Sequence, residues 1–250
     1  MLINDLYTGV FWFMATLAPC VFVLLFFVSA PYGRYVRPGW GPTLSSRRGW
    51  LLMEAPASLL MLAVLFFVPF NPVICVFLAV WQVHYFHRAF VYPFSLSSGK
   101  RMPVLVVLMA FVFNSANTFL NGYHFIIFQD WYEIEWLFRW NFIGGVIVFA
   151  LGYYITKKSD NILVSLRSNA SEGYQIPNGF LYRYISSPNY LGETLQWFGW
   201  ALMTLSPAAL VFAVWTFANL LTRAISHHRW YKKKFSDYPI SRKAFIPFFI

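Results

Sequence analysis

Long apolar segments alternate with short polar segments along the whole chain. A helix needs roughly 20 mostly apolar residues to cross about 30 Å of hydrocarbon, and segments of that length recur here. The pattern predicts seven membrane-spanning helices, with short breaks at Asn71-Pro72 and at Ser206-Pro207. The predicted spans cover about residues 7–30, 49–70, 72–94, 104–128, 136–155, 190–205 and 208–224.

Composition supports a membrane protein and excludes a single soluble core. Of the 250 residues, 59% are hydrophobic and only 11% are charged, whereas soluble domains carry about a quarter charged residues. Aromatic residues make up 22% of the chain, and Trp and Tyr favour the headgroup zone at the ends of spans. We therefore expect an all-α, polytopic integral membrane bundle that forms a single domain over residues 1–250.

The net charge of +10 is concentrated in alternate loops. Basic residues occur in the first, third and fifth loops and in the tail, while the second and sixth loops are nearly chargeless and the fourth is acidic. The positive-inside rule then predicts that every basic loop is cytosolic, with the N-terminus outside and the C-terminus in the cytosol. Membrane orientation thus accounts for the charge, and no nucleic-acid partner is expected.

Polar side chains inside the predicted spans are costly, so each is a candidate functional residue. Several share one helical face, at spacings of three, four, seven or eight residues. These polar positions are Glu54; Tyr85, Arg88 and Tyr92; Asn114, Asn117 and Asn121; Asn189, Glu193 and Gln196; and Arg223, His227 and Tyr231. Structural alternatives stay open, because amides can join helices and the last row can belong to an interfacial amphipathic tail.

Motifs for a metal ion and for a Rossmann nucleotide domain are absent. The chain has no His-Glu-x-x-His or Cys-x-x-Cys spacing, so no metal site is predicted, and no Gly-x-Gly-x-x-Gly follows a strand. A nucleotide could still bind at the cytosolic mouth of the bundle, where Lys157, Lys158, Arg167 and Arg223 meet the basic tail. Cationic groups suit a diphosphate and an additional 2′-phosphate.

Several long motifs resemble the steroid 5α-reductase family over about residues 30–250. Upstream they are Glu54-Ala55-Pro56 and His84-Tyr85-Phe86-His87-Arg88. In the C-terminal half they are Ser159-Asp160 with Arg167, Gly173-Tyr174 with Ile176-Pro177, Ser187-Pro188-Asn189-Tyr190-Leu191-Gly192-Glu193, Arg223-Ala224, His227-His228-Arg229, Tyr231, Asp237-Tyr238-Pro239 and Ser241-Arg242-Lys243-Ala244. The chain departs from the family pattern at Met53, where Gln is common, and at Thr156-Lys157-Lys158, where Asn-Ile-His is common.

The resemblance implies NADPH as the cofactor in the cytosolic half of the bundle, and reduction of the Δ4 double bond of a 3-oxo steroid. It implies that Glu54 and Tyr85 hold the substrate ketone. The residues that it implies for the nucleotide site are Asn114, Asn117, Asp160, Arg167, Tyr174, Asn189, Glu193, Arg223, His227 and Tyr231. Residues 1–102, with spans one to three, would carry the substrate side, and residues 103–250, with spans four to seven, would form the NADPH-binding region.

The chemistry of such a reduction agrees with these roles. Hydride delivery to the β-carbon of an enone pushes negative charge onto the carbonyl oxygen, which hydrogen-bond donors stabilise. A Tyr hydroxyl and a protonated Glu can both donate, and the cofactor supplies the hydride. We expect an apolar, steroid-like substrate to enter from the bilayer. We also expect a monomer, in a bacterial inner membrane rather than the endoplasmic reticulum.

Three alternative functions stay open at this point. A membrane methyltransferase of the isoprenylcysteine type, which binds S-adenosylmethionine, shares the Pro-x-Tyr helix start seen at Pro188-Asn189-Tyr190 and a basic tail. Reductases of sterol or enoyl double bonds share the C-terminal half. A non-catalytic scaffold would use the polar rows only to join helices.

Overall fold

The computed structural model describes residues 2–95, 101–169 and 173–250, with residues 167–169 described by their backbone alone. Across these residues the chain forms seven α-helices and one two-stranded sheet. The helices are α1 (Leu2–Phe27), α2 (Ser46–Ala63), α3 (Pro72–Phe86), α4 (Val104–Ile127), α5 (Trp140–Asn169), α6 (Pro188–Thr204) and α7 (Pro207–Lys234). The strands are β1 (Thr43–Ser45) and β2 (Arg101–Pro103).

Helices long and apolar enough to cross a membrane account for much of the chain. Within the described residues there are five such segments, at Leu2–Phe27, Ser46–Phe66, Pro72–Ser95, Val104–Ile127 and Pro207–Lys234. The protein is therefore a mostly helical, multi-pass membrane protein. The helices α5 and α6 lie where the fifth and sixth spans were predicted, but α6 has only 17 residues and the second half of α5 is polar.

Two helices extend well beyond the predicted spans. The helix α5 ends at Asn169 instead of near residue 155, and α7 ends at Lys234 instead of near residue 224. Backbone hydrogen bonds inside a helix do not require apolar side chains, so a helix can continue after its apolar segment stops. As a result, Ser159-Asp160 lies on a helix and not in the predicted fifth loop, and the tail row lies on α7.

A small antiparallel sheet that the all-α prediction omitted joins the first and third loops. Thr43 pairs with Pro103, and Ser45 pairs with Arg101. Arg101 Nη2 also donates to the Thr43 carbonyl oxygen at 2.7 Å. We call the end of the bundle formed by loop 28–45, this sheet and the tail 235–250 the basic end.

Buried indole rings fill the centre of the bundle. Trp81, Trp197 and Trp200 are at most 1% exposed, and Phe77 packs edge-on against Trp200. Each buried indole N–H needs an acceptor. Trp200 Nε1 donates to Asn121 Oδ1 at 2.9 Å, so the third member of the predicted amide row joins α4 to α6.

Glycines let α5 and α6 approach each other closely. A Cβ atom added at Gly152 would lie 2.5 Å from the Gly192 carbonyl oxygen and 2.6 Å from the Gln196 nitrogen. One added at Gly199 would lie 2.5 Å from the Phe149 nitrogen. Small residues of this kind allow backbone contact between membrane helices. The contact fixes the α5 residues of the site relative to those of α6.

Replacing Gly152 with alanine should lower the melting temperature in detergent by roughly 5 °C, because the methyl group would force the two backbones apart. The matched control is Gly9→Ala in α1, where an added Cβ has no heavy atom within 4 Å. The control should melt within about 1 °C of the wild type. Equal melting temperatures for both variants would contradict the close contact.

Candidate functional site

Two cavities of different character meet inside the bundle. An apolar cavity of about 310 Å³ lies among helices that include α1, α2, α4 and α7, with Phe113 among its walls. A polar cavity of about 100 Å³ lies beside it at the basic end. Tyr32, Trp50, Arg88 and Leu220 line both cavities. These shared residues form the junction between the two cavities.

Arg88 is surrounded by acidic side chains at this junction. Its Nη2 is 3.5 Å from Glu193 Oε2, its Nη1 is 3.9 Å from Asp160 Oδ2, and its Nε is 4.0 Å from Glu54 Oε1. All four side chains are between 12% and 16% exposed. The guanidinium also lies 4.6 Å from the Trp50 ring centre. One cation therefore holds together carboxylates from α2, α5 and α6.

The segment that carries Arg88 departs from α-helical geometry. The helix α3 continues as a π-helical turn over His87–Val91 and a 3₁₀ turn over Tyr92–Ser95. Single π turns within helices are frequent at functional sites. The three residues of the predicted polar row therefore line different cavities. Tyr85 lines the apolar cavity, Tyr92 lines the polar cavity, and Arg88 lines both.

Glu54 and Tyr85 both line the apolar cavity. Asn114 Nδ2 donates to Glu54 Oε2 at 3.2 Å and to the Met53 carbonyl oxygen at 2.6 Å. The Asn117 amide lies beside the buried Tyr85 hydroxyl. Asn114 and Asn117, which were predicted for the nucleotide site, thus lie with the Glu54–Tyr85 pair. A carboxyl and a hydroxyl at one end of an apolar cavity can hold a carbonyl oxygen.

A buried hydrogen-bond chain runs beside the apolar cavity. His84 Nδ1 is 2.9 Å from Gln196 Oε1, and Gln196 Nε2 donates to Thr156 Oγ1 at 3.0 Å. Thr156 Oγ1 in turn donates to the Asn189 carbonyl oxygen at 3.2 Å. Because an amide oxygen only accepts, His84 Nδ1 is the donor in this contact. The chain connects α3 with α5 and α6.

Most residues predicted for a nucleotide lie around the polar cavity or a neighbouring cavity of about 130 Å³. Asn189 Nδ2 donates to Asp160 Oδ1 at 3.0 Å. The predicted residues that line the first cavity are Asp160, Asn189, His227 and Tyr231, and those that line the second are Tyr174, Arg223 and His227. Glu193 instead lines the apolar cavity beside Arg88. Arg167 lies on α5, and its side chain falls outside the described residues.

The loop 28–45 contributes residues that the sequence analysis did not single out. The Arg34 guanidinium lies 4.4 Å from the Trp230 ring centre and 4.8 Å from that of Tyr231. Its Nη1 is buried and has no hydrogen-bond partner among the described residues. Burial raises the pKa of Tyr35 to about 12, and its buried hydroxyl likewise has no partner within the described part of the chain.

Arg223 reaches the same loop from α7. Its guanidinium lies 3.6 Å from the Tyr32 ring centre, and its Nη2 donates to the Tyr32 carbonyl oxygen at 3.2 Å. Gly33 has a φ of +65°, which allows the sharp turn that brings Tyr32 and Arg34 towards α7. A glycine between aromatic and basic residues is the sequence signal for this turn.

The C-terminal tail is held against the basic end by buried polar contacts. Ser186 Oγ lies 2.7 Å from His228 Nδ1 and 2.6 Å from the Tyr238 hydroxyl. Arg242 is 2% exposed and donates to the Pro177 carbonyl oxygen at 3.1 Å. Since Ser186 also lines the polar cavity, the tail contacts fix one wall of that cavity.

Known proteins that resemble this chain agree with the motifs. The family model described as 3-oxo-5-alpha-steroid 4-dehydrogenase matches residues 100–250. Steroid 5-alpha-reductase DET2 of Gossypium hirsutum is 41% identical over 236 residues, which cover 90% of each chain. The 3-oxo-5-alpha-steroid 4-dehydrogenase 2 of Sus scrofa is 40% identical over 240 residues, or 94% of each chain.

A third relative extends the agreement. The 3-oxo-5-alpha-steroid 4-dehydrogenase 1 of Bos taurus is 39% identical over 235 residues, which cover 92% of this chain and 91% of that protein. The similarity therefore spans nearly the whole chain and confirms the resemblance found in the motifs. The chain belongs to the 3-oxo-5-alpha-steroid 4-dehydrogenase family of oxidoreductases.

Proposed function

We propose that this protein reduces the Δ4 double bond of 3-oxo-Δ4 steroids to 5α-dihydro steroids with NADPH. The observation that carries the proposal is the junction at Arg88, where a polar cavity opens beside the apolar cavity that Glu54 and Tyr85 line. An apolar enone in one cavity and a charged nucleotide in the other would meet there. The activities named for the relatives support the reaction class.

On the substrate side, the Tyr85 hydroxyl and the Glu54 carboxyl hold the carbonyl oxygen at C3. Negative charge develops on that oxygen during reduction, and donors already in place stabilise the transition state more than the ground state. The 3.2 Å hydrogen bond from Asn114 orients the Glu54 carboxyl. Asn117 lies beside the Tyr85 hydroxyl and supports the substrate side from α4.

The residues around the polar cavity fit a phosphorylated nucleotide. Arg34 and Ser187 line this cavity. Arg34 Nη1 and Ser187 Oγ are buried without hydrogen-bond partners in the described part of the chain, and they can bind phosphate and ribose oxygens. When bound, NADPH supplies the hydride. The nucleotide-binding residues that we propose are Asp160, Arg167, Tyr174, Asn189, Glu193, Arg223, His227 and Tyr231, with Arg34 added, and Asn114 and Asn117 supporting them from the substrate side.

In the membrane, we propose that α5 and α6 cross beside the five apolar helices, which gives seven spans. The basic end then lies in the cytosol and the N-terminus outside. The helices α1 and α4 expose apolar side chains on their outer faces and line the apolar cavity on their inner faces, so a steroid can enter from the bilayer. Both cavities come from one chain, so a monomer suffices, and we place it in a bacterial inner membrane.

We propose that the two parts of the chain contribute different sides of the site. Residues 1–102 supply Glu54 and Tyr85 on the substrate side, and residues 103–250 supply most of the proposed nucleotide site. The apolar cavity also takes walls from α4 and α7. The two parts therefore form one catalytic domain.

Purified protein incubated without oxygen with NADPH and a 3-oxo-Δ4 steroid tests the proposal. We expect loss of NADPH absorbance together with a 5α-dihydro product. No turnover with steroids, combined with turnover of sterol or enoyl substrates, would move the protein to the other reductase class. Thermal stabilisation by S-adenosylmethionine but not by NADPH would instead favour the methyltransferase, which the named relatives do not support.

Replacing Arg34 with methionine should raise the KM for NADPH about 10-fold or more while leaving kcat within a few-fold, because a charge-assisted contact to phosphate is lost. The matched control is Arg37→Met, since Arg37 is exposed in the same loop. The control should change the KM for NADPH less than about 2-fold. If both substitutions raise the KM for NADPH equally, Arg34 makes no specific contact and acts only through its positive charge.

A further inference from the structure

Two polar side chains on α7 line the apolar cavity in addition to the residues of the Glu54–Arg88 cluster. Thr216 and Asn219 are three residues apart and therefore lie on one helical face. Both line the apolar cavity, and neither lines the polar cavity. Asn219 also borders a small recess next to α1, which Leu25, Ser29 and Arg223 line with it. The pair thus lies on the wall where α1 meets α7.

The Thr216 hydroxyl lacks the bond to its own helix that several other threonines make. Threonine in a membrane helix commonly donates to the carbonyl oxygen four residues earlier. Thr118, Thr204 and Thr222 do so here, at 2.7 to 2.9 Å. Thr216 makes no such bond within the described residues, although its residue is only 9% exposed. Its hydroxyl is left to interact with whatever occupies the cavity.

The Asn219 side-chain amide likewise makes no hydrogen bond within the part of the chain that the structure describes. Amides within membrane helices normally pair with other helices, as Asn114 and Asn121 do. The Asn219 side chain has no hydrogen-bond partner among the described residues, and its neighbours Trp215 and Leu220 are apolar cavity walls. An unpaired amide in an apolar chamber is unfavourable unless a ligand or water satisfies it.

We propose that Thr216 and Asn219 bind a second oxygen of the substrate and so determine specificity, an inference that rests on the proposed function. Both side chains are neutral and can donate as well as accept. They suit a hydroxyl or a ketone and cannot compensate a charge. The preferred substrate class is therefore a 3-oxo-Δ4 steroid that carries another neutral oxygen function, and not one with a purely hydrocarbon remainder.

The test compares androst-4-en-3-one with its 11-hydroxy and 17-hydroxy derivatives on the wild type, Asn219→Leu and Thr216→Val. We expect the wild type to favour one hydroxylated steroid over the parent by about 10-fold or more in kcat/KM, because a polar site rejects the analogue that lacks its partner. Asn219→Leu should remove most of that preference, and Thr216→Val part of it, because the hydroxylated steroid loses its hydrogen-bonding partner. Met109→Leu, on the α4 wall of the same cavity, is the control and should retain the preference.

Binding of the corresponding saturated 3-oxo steroids separates this inference from the proposed reaction. Their affinity ratio needs no turnover, so it reports on Thr216 and Asn219 even if the protein reduces none of the three steroids. A wild type that binds and reduces parent and hydroxylated steroids equally, or a preference that survives both α7 substitutions, overturns the inference. Loss of the preference in Met109→Leu as well would also overturn it, because the cavity's shape would then be responsible.

Discussion

Replacing Arg88 with methionine is expected to lower the melting temperature in detergent by roughly 10 °C and to abolish measurable turnover. The guanidinium lies within 4.0 Å of the Glu54, Asp160 and Glu193 carboxyl groups. Removing it takes away the cation that acidic side chains from three helices share. Breaking a buried pair in this way costs about 3–5 kcal/mol.

Further substitutions separate the effect of the lost Arg88 charge from the effect of its lost packing. The double variant Arg88→Met/Glu193→Gln also removes the acid nearest to the lost guanidinium, and we expect it to regain several degrees of the lost melting temperature. Arg88→Lys keeps one positive charge but loses the planar contact with the Trp50 ring, so it should lie between the wild type and Arg88→Met. Melting of Arg88→Met within about 2 °C of the wild type would contradict the cluster's structural role.

The apolar pattern predicted the helices well because spanning a bilayer demands length and hydrophobicity, and both are visible in sequence. It predicted the helix ends poorly where helices leave the membrane. The polar half of α5, which carries Asp160, was assigned to a loop because its composition resembles one. The π turn at His87–Val91 leaves no pattern in side-chain type, so no reading of periodicity could locate it.

Part of the candidate site could likewise be predicted from the sequence, and part could not. Rows of polar residues on helical faces predicted Glu54, Tyr85 and the α6 and α7 residues, because an ionisable group in a span needs a reason to be there. The rows could not show which cavity each residue lines, and Asn114 and Asn117 lie with Glu54 and Tyr85. Arg34 was missed because a basic loop residue is ordinary in a membrane protein, and only the fold places it over Trp230.

Arg88 shows why assembling the site requires the structure. The motif around Arg88 made it a candidate residue. Its role, however, depends on carboxyl groups that lie 34, 72 and 105 positions away in sequence. Only tertiary packing brings these groups to one guanidinium. The close approach of α5 and α6 at their glycines sets the distance between two of these acids. The catalytic junction is therefore coupled to helix packing as well as to side-chain chemistry.

Replacing Tyr85 with phenylalanine should lower kcat about 100- to 1000-fold with little change in the KM for the steroid, because one donor to the developing oxyanion is lost while the ring that packs against Trp81 and Trp197 is kept. The measurement is steady-state reduction of a 3-oxo-Δ4 steroid at saturating NADPH. Glu54→Gln should lower kcat as well, but by a smaller factor, since an amide still offers a donor at that position.

A second buried tyrosine provides the control for loss of a hydroxyl. Tyr132 is 2% exposed and donates to the Thr204 carbonyl oxygen at 2.9 Å, and it lines neither the apolar nor the polar cavity. Tyr132→Phe should cost about 1 kcal/mol of stability and leave kcat within about 2-fold. If Tyr85→Phe and Glu54→Gln both keep wild-type kcat, the polar rows only join helices and the catalytic assignment of this pair is wrong. A loss confined to Tyr85 and Glu54 ties the chemistry to the end of the apolar cavity that the Arg88 cluster holds in place.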